Sequence, residues 1–168
     1  RFRSDIVFNN LLSSAFLTNE IKIMSDGEPW RPVLHIDDFV KILIWLVTSE
    51  HDVENIAINI GLPNVNYKVK DLAYFAGQCW QNSQIKFLGQ KTKDERSYKV
   101  DFTRMLKVFP SEVIPKISLI EGGEKMISQW IEVGYSLKDF MGERTIRLER
   151  LKNLLKDHSL SDDLRFKL

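Results

Sequence analysis

The chain has 168 residues, 43% hydrophobic and 28% charged, which is enough for one domain with a real core and argues against a disordered chain. Its 24 Lys and Arg against 23 Asp and Glu leave a formal net charge of +1. No strong general field therefore draws it to nucleic acid or to an anionic membrane, and any anion site must be local.

One cysteine, Cys79, excludes an internal disulfide, and no Cys/His cluster has metal-ligand spacing, so no metal is expected. A reducing, cytoplasmic location is the default. The longest apolar stretch, 39–47, is interrupted by Lys41 and too short for a bilayer, and no secretion signal is visible. The first residue is Arg1 and no element leads into it, which suggests part of a longer protein.

Taken in order, residues 6–17 place Phe8, Leu11, Leu12, Ala15 and Phe16 at helical spacing, with Ser4 or Asp5 as the expected cap. Residues 21–24 alternate like a short strand, and Asp26-Gly27 marks a turn. Residues 32–35 read as another short strand. Asp37 and Asp38 stand where a cap belongs, before a helix to about residue 49 that is apolar nearly all round and so expected to be deeply buried.

Residues 55–60 form a β-rich run stopped by Gly61-Leu62-Pro63. Helix 70–80, strand 84–88, a charged loop at 91–96, an extended piece at 98–101 and a helical turn at 102–108 follow. Amphipathic helices 119–133 and 144–156 close the chain. The run 55–60 is apolar on both faces, and short isolated strands are marginal in water, so a sheet completed elsewhere is the simplest expectation. The class expected is α/β, helix-rich, with short strands and an incomplete sheet.

No Gly-rich dinucleotide fingerprint, Tyr-x-x-x-Lys pair, Gly-x-Ser-x-Gly elbow, P-loop or His-Glu-x-x-His occurs, and Tyr67-Lys68-Val69-Lys70 has the wrong spacing for proton transfer. No catalytic residue and no cofactor site is expected in this chain. What remains is polar residues at element ends. The turn 26–32 delivers Arg31 beside Trp30, and an arginine there can present a planar fork of donors to phosphate oxygens. The bland alternative is a surface arginine stacked on Trp30. Arg96 lies in a charged loop, where a solvated charge run is the competing reading. Capping explains Asp37 and Asp38 better than acid/base work does. Asn59, at a strand end, can bind a ligand or merely fix the next turn. His35 and the aromatics Trp45, Phe75 and Trp130 are better read as core.

The order of these pieces resembles the extended short-chain dehydrogenase/reductase family, of the NAD-dependent nucleotide-sugar epimerase and dehydratase type. The resemblance rests on Ile6-Val7-Phe8-Asn9-Asn10-Leu11, on 21–27, and on Trp30-Arg31-Pro32-Val33-Leu34-His35-Ile36-Asp37-Asp38 running into an apolar helix. It continues in Ile58-Asn59-Ile60-Gly61, similar to the family's Tyr-Asn-Val-Gly strand end, and in 94–101, similar to its Arg-x-Tyr-x-x-Asp segment. It covers roughly 1–133.

The resemblance implies a substrate-binding domain at 1–133 with a helical tail at 134–168. It implies a nucleotide-diphospho-sugar held between this part and a Rossmann half carrying NAD or NADP and the tyrosine base. By position, Asn9 would contact the phosphate region, Arg31 and Arg96 would clamp the pyrophosphate, Asn59 would sit near the nucleotide and Asp38 would cap its helix. The intact enzyme would be a homodimer. Pro32, where many members carry an acidic residue, and the tail after about 133 depart from the pattern. The Trp-Arg-Pro form and the tail resemble a subgroup linked with surface-polysaccharide sugars. From another class, the competing reading is a non-catalytic nucleotide- or protein-binding module.

Overall fold

The computed structural model describes residues 2–50, 56–89 and 96–166. Among the described residues, seven helices and four short strands run in the order α1 (Val7–Thr18), β1 (Glu20–Ile23), β2 (Trp30–Arg31), α2 (Ile36–Thr48), β3 (Tyr67–Lys68), α3 (Val69–Cys79), β4 (Gln84–Phe87), α4 (Thr103–Val108), α5 (Leu119–Val133), α6 (Leu137–Met141) and α7 (Arg147–Lys156). Two two-stranded sheets form: β1 and β4 pair in parallel, with Ile21 opposite Ile85, and β2 and β3 pair antiparallel, with Trp30 opposite Lys68. The class is α/β with small sheets and short strands, as the sequence predicts.

The main core is built where the patterns are strongest. Phe8, Leu11, Leu12 and Ala15 of α1 pack with Ile21 and Ile23 of β1, Leu72, Ala73 and Ala76 of α3, and Leu119, Ile127 and Trp130 of α5. A second cluster gathers Ile42, Phe102, Met105, Phe109 and Val113, with the Trp45 ring edge-on to Phe109 at 5.4 Å. Two adjacent glycines let α5 approach its neighbours. A Cβ on Gly122 would lie 2.6 Å from the His35 ring, and one on Gly123 would lie 2.6 Å from Cys79 Sγ. Burial pushes the Cys79 thiol up to about 11, with the Glu124 charge adding to it, so at neutral pH it is a packed thiol rather than a nucleophile.

Several expectations are corrected. Neither Ser4 nor Asp5 caps α1. Its N-cap is Ile6, without a side-chain bond, while Asp5 pairs with Arg3 at 2.8 Å. Buried Ser4 instead donates to Phe140 O at 2.9 Å and shares a hydrogen bond with Thr145, tying the start of the chain to its tail. The cap of α2 is His35, whose Nδ1 accepts from the Asp37 amide, not Asp38. Buried Asp38 accepts from the amides of Lys116 and Ile117, at 3.1 and 2.9 Å, and so pins the approach to α5. The strand expected at 32–35 lies earlier, at Trp30–Arg31, because Pro32 has no amide to extend the ladder. The last helix begins at Arg147 rather than 144, after the short α6.

The apolar helix α2 is not deeply buried. Only Asp38 and Ile42 are fully buried and Phe39, Trp45 and Leu46 half-buried, while Ile36 is 63% and Val47 85% exposed and Val40, Leu43 and Ile44 share that exposed face. Nor do residues 56–60 form a strand; Asn55 lies outside the described residues. Side chains reach the backbone of 56–60 instead: Arg104 donates to Ala57 O at 2.8 Å and Asn59 donates to Asp101 O at 3.3 Å. Both departures share one physical reason. An all-apolar surface demands a covering layer, and among the described residues that layer is absent.

Candidate functional site

The turn before β2 sets the site. Gly27 takes φ +78, and a Cβ there would meet Lys70 Cβ at 2.9 Å, so only glycine lets the turn sit against α3. Lys70 N–H donates to Gly27 O and Val69 N–H to Pro29 O, both at 3.0 Å. These bonds occupy two of the amides that a helix N-terminus leaves unpaired. Within α3 itself, Asp71 accepts from the Lys68 amide at 2.9 Å. The turn thereby delivers Trp30 and Arg31 onto β3.

The segment 96–101 lies against the other side of β2. Trp30 N–H donates to Ser97 Oγ at 3.1 Å, and Tyr98 N–H makes a long bond of 3.5 Å to Trp30 O. Further along, Asn66 exchanges two bonds with Val100, donating from its amide at 3.1 Å and accepting at 2.9 Å. Arg31 closes the arrangement: its Nη1 donates to Trp30 O at 2.8 Å and to Arg96 O, and its guanidinium stands over the Tyr98 ring at 5.6 Å. The aromatic partner of Arg31 is thus Tyr98. Trp30 instead carries two ammonium groups, Lys68 at 5.3 Å and Lys99 at 4.0 Å.

The result is a half-exposed, basic and aromatic ledge made by β2, β3 and 96–99. Among the described residues, the carboxylate that bridges its lysines is Glu28, which bonds Lys68 at 2.6 Å and also Lys70. These two ammonium groups, through hydrogen bonds first and charge second, hold the Glu28 carboxyl down at about 2, while Lys70 is raised in return. The sign follows: a depressed acid favours the folded state above its ordinary value of 4.5, and that contribution fades as pH falls from about 4.5 through about 2. Side-chain carboxyl NMR should therefore show Glu28 titrating near 2. A midpoint at the ordinary glutamate value would mean that the two lysine bridges do not persist in solution.

Of the residues singled out by sequence, Arg31 and Arg96 come together, guanidinium on carbonyl. Asn59 joins the same segment at its far end, through Asp101 O. Asn9 does not share these contacts; on α1 it donates to Arg3 O at 2.8 Å. Lys68, Ser97 and Lys99 line the ledge without having been picked out as candidates. Alternation at Tyr67-Lys68 was the available signal for Lys68, but a two-residue strand gives too short a pattern to read.

Residues 3–61 match the model of the NAD dependent epimerase/dehydratase family. No curated protein matches the chain significantly. Among solved structures, the chain is similar to the UDP-glucuronic acid 4-epimerase of Bacillus cereus, at 18% identity and a TM-score of 0.62, over 78% of this chain and 41% of that one. It is similar also to the UDP-glucose 4-epimerase of Thermotoga maritima, at 21% identity and TM-score 0.61, over 76% and 40%. A third is the dTDP-glucose 4,6-dehydratase of Bacillus anthracis, at 17% identity and TM-score 0.60, over 79% and 41%. The chain thus spans about two fifths of the length of these structures. At these identities the likeness is one of fold, that of the carboxy-terminal part of an extended Rossmann-type enzyme. The first of these structures holds UDP-glucuronic acid and NAD, and the second holds UDP-glucose. No described helix is long and apolar enough to cross a membrane.

Proposed function

We propose that this chain is the substrate-binding part of an NAD(P)-dependent nucleotide-sugar epimerase, dehydratase or oxidoreductase, and that the ledge of β2, β3 and 96–101 takes the diphosphate of its nucleotide sugar. The observation that carries this reading is the bond from the Arg31 guanidinium to the Arg96 carbonyl, which brings the segment carrying Arg96, 65 positions away in sequence, to Arg31. Arginine suits that role because its planar fork of donors matches phosphate oxygens. The flanking lysines add positive charge that outweighs Glu28. On this reading the chain's own residues bind and orient the anionic end of the ligand and leave the sugar to be processed elsewhere.

The nicotinamide cofactor implied by the family is proposed to be held outside the described residues. Of the described strand-to-helix turns, the one from β3 into α3 passes directly from Lys68 to Val69 without a glycine, and the helix start is already bonded to the 27–29 turn. No step through the cofactor is therefore assigned to these residues. The division at 133, the homodimeric intact enzyme, its cytoplasmic location and a surface-polysaccharide role belong to the same proposal and rest on the family resemblance.

The test is an NMR titration of the chain with inorganic pyrophosphate, UDP and uridine. Pyrophosphate and UDP should both shift the amide signals of Trp30, Arg31 and Ser97, and uridine should leave them in place. Equal responses to UDP and uridine, or shifts scattered away from the ledge, would count against the diphosphate reading.

A further inference from the structure

We infer that Glu28 is a positioning residue for Arg31: by bridging Lys68 and Lys70 it fixes the register in which β2 meets β3, and so keeps Arg31 on the Tyr98 face. The inference rests on the diphosphate reading above for what Arg31 then binds and deepens it. The ladder of β2 and β3 is only two residues long, with Trp30 against Lys68 and Arg31 against Tyr67. Side chains alternate along a strand, so Trp30 and Lys68 share one face and Arg31 and Tyr67 the other. On the first face Lys68 and Lys99 stand over the Trp30 ring, and on the second Arg31 stands over Tyr98. A slip of one residue would exchange the two faces, and so short a ladder holds its register weakly.

What reinforces it lies in the turn. The carbonyls of Gly27 and Pro29, on either side of Glu28, accept from the amides of Lys70 and Val69. The Glu28 carboxylate divides its oxygens, Oε2 to Lys68 at 2.6 Å and Oε1 to Lys70. Lys68 is the residue paired with Trp30, and Lys70 is the one packed against Gly27, so a single side chain ties the turn to both β3 and α3. An isolated exposed ion pair contributes little, but here one carboxylate serves two cations across a short turn, and such networks are the exception. A one-residue slip would move Glu28 by about 3.3 Å along β3 and strain both bridges. As a carboxylate on a basic ledge, Glu28 also repels a diphosphate. A positioning role and a purely electrostatic one therefore predict opposite signs when its charge is removed.

The experiment titrates the whole chain and its Glu28→Gln and Glu28→Asp variants with inorganic pyrophosphate and with UDP. It also follows the cross-strand nuclear Overhauser contacts between Trp30 and Lys68 without ligand. Glutamine keeps the size and loses the charge, whereas aspartate keeps the charge and loses the reach. Glu28 is exposed, so both variants should keep the fold, which far-UV circular dichroism verifies. Both are expected to weaken pyrophosphate and UDP about threefold, within the range for exposed ion pairs, and to weaken the Trp30–Lys68 contacts. If Glu28→Gln tightens pyrophosphate while Glu28→Asp leaves it unchanged, Glu28 is only a nearby charge and the inference falls. Intact Trp30–Lys68 contacts in both variants overturn it as well, whatever the unfolding midpoint does. Lost contacts with unchanged affinities would overturn its link to the ligand. If neither pyrophosphate nor UDP binds the unmodified chain, the diphosphate reading falls, and the Trp30–Lys68 contacts alone decide whether Glu28 sets the register.

Discussion

Replacing Trp130 by alanine should destabilise the chain by about 3–5 kcal/mol, the range for removing a large buried aromatic. The indole is 5% exposed and joins elements that are far apart in sequence. It stacks on Tyr135 at 4.9 Å, meets Phe2 edge-on at 5.4 Å and lies tilted against Phe16 of α1 at 5.6 Å. Tyr135 and Phe2 also meet each other edge-on, so truncation opens a cavity whose walls are rings that cannot collapse independently. Since Tyr135 shares a hydrogen bond with Ser13, the loss should spread into the α1 face as well. Urea unfolding monitored by circular dichroism checks this. The neighbouring Ile131→Ala, at a residue 63% exposed on the same helix, should stay within about 0.5 kcal/mol of the unmodified chain. Similar losses at both positions would show that helix propensity rather than the ring cluster dominates.

How much of this could be read from the sequence depends on the range of the interactions involved. The helices α1, α3 and α5 and the strand β1 follow their local periodicities to within a residue or two, because one face of each is covered by elements of the same chain, whereas β4, exposed at all of Gln84–Phe87, is held by its pairing with β1. Helix α2 follows its periodicity too, yet its burial does not. A run that is apolar all round says that a cover is needed, not where the cover is, and Val47 is left open here. The roles of Ser4 and Asp38 were illegible for a different reason. Their residue types suit local capping, but their partners lie 136 to 141 and 78 to 79 positions away. A short polar side chain bonds a distant backbone as readily as its own helix, and spacing cannot separate the two.

The ledge shows the same limit. Composition near a turn was enough to single out Arg31, and the family-like order of motifs pointed to Arg96 and Asn59. Their adjacency depends on β3 pairing with β2 and on 96–101 folding back, both long-range events. Residue type likewise suggested that Arg31 would rest on Trp30. The antiparallel register instead puts Lys68 opposite Trp30 and leaves Arg31 to Tyr98. Residues 91–95 of the charged loop lie outside the described residues, and Arg96 is where the description resumes.

Arg31→Lys should weaken binding of UDP by about 1.5–3 kcal/mol, roughly ten- to a hundredfold, the scale of hydrogen bonds to a charged group. Uridine binding should not change. Lysine keeps the charge but loses the planar fork, so the variant separates geometry from simple attraction. Arg31 also supports the ledge, since it bonds the carbonyls of Trp30 and Arg96 and covers Tyr98. A control must therefore distinguish a contact from a prop. Tyr98→Leu removes the ring under the guanidinium while leaving the fork in place, and it should cost UDP binding much less than Arg31→Lys does. Arg96→Ala should weaken UDP less than Arg31→Lys, because a loop arginine loses more freedom when it engages a ligand. The double variant should fall short of the sum, since two groups that share one diphosphate are coupled. The measurements are UDP and uridine dissociation constants at one fixed salt concentration, with unfolding midpoints for every variant. If Tyr98→Leu matches Arg31→Lys, Arg31 acts as a prop for 96–99. If Arg31→Lys leaves UDP binding intact with the fold preserved, it is a surface arginine packed on Tyr98 and the diphosphate site lies elsewhere.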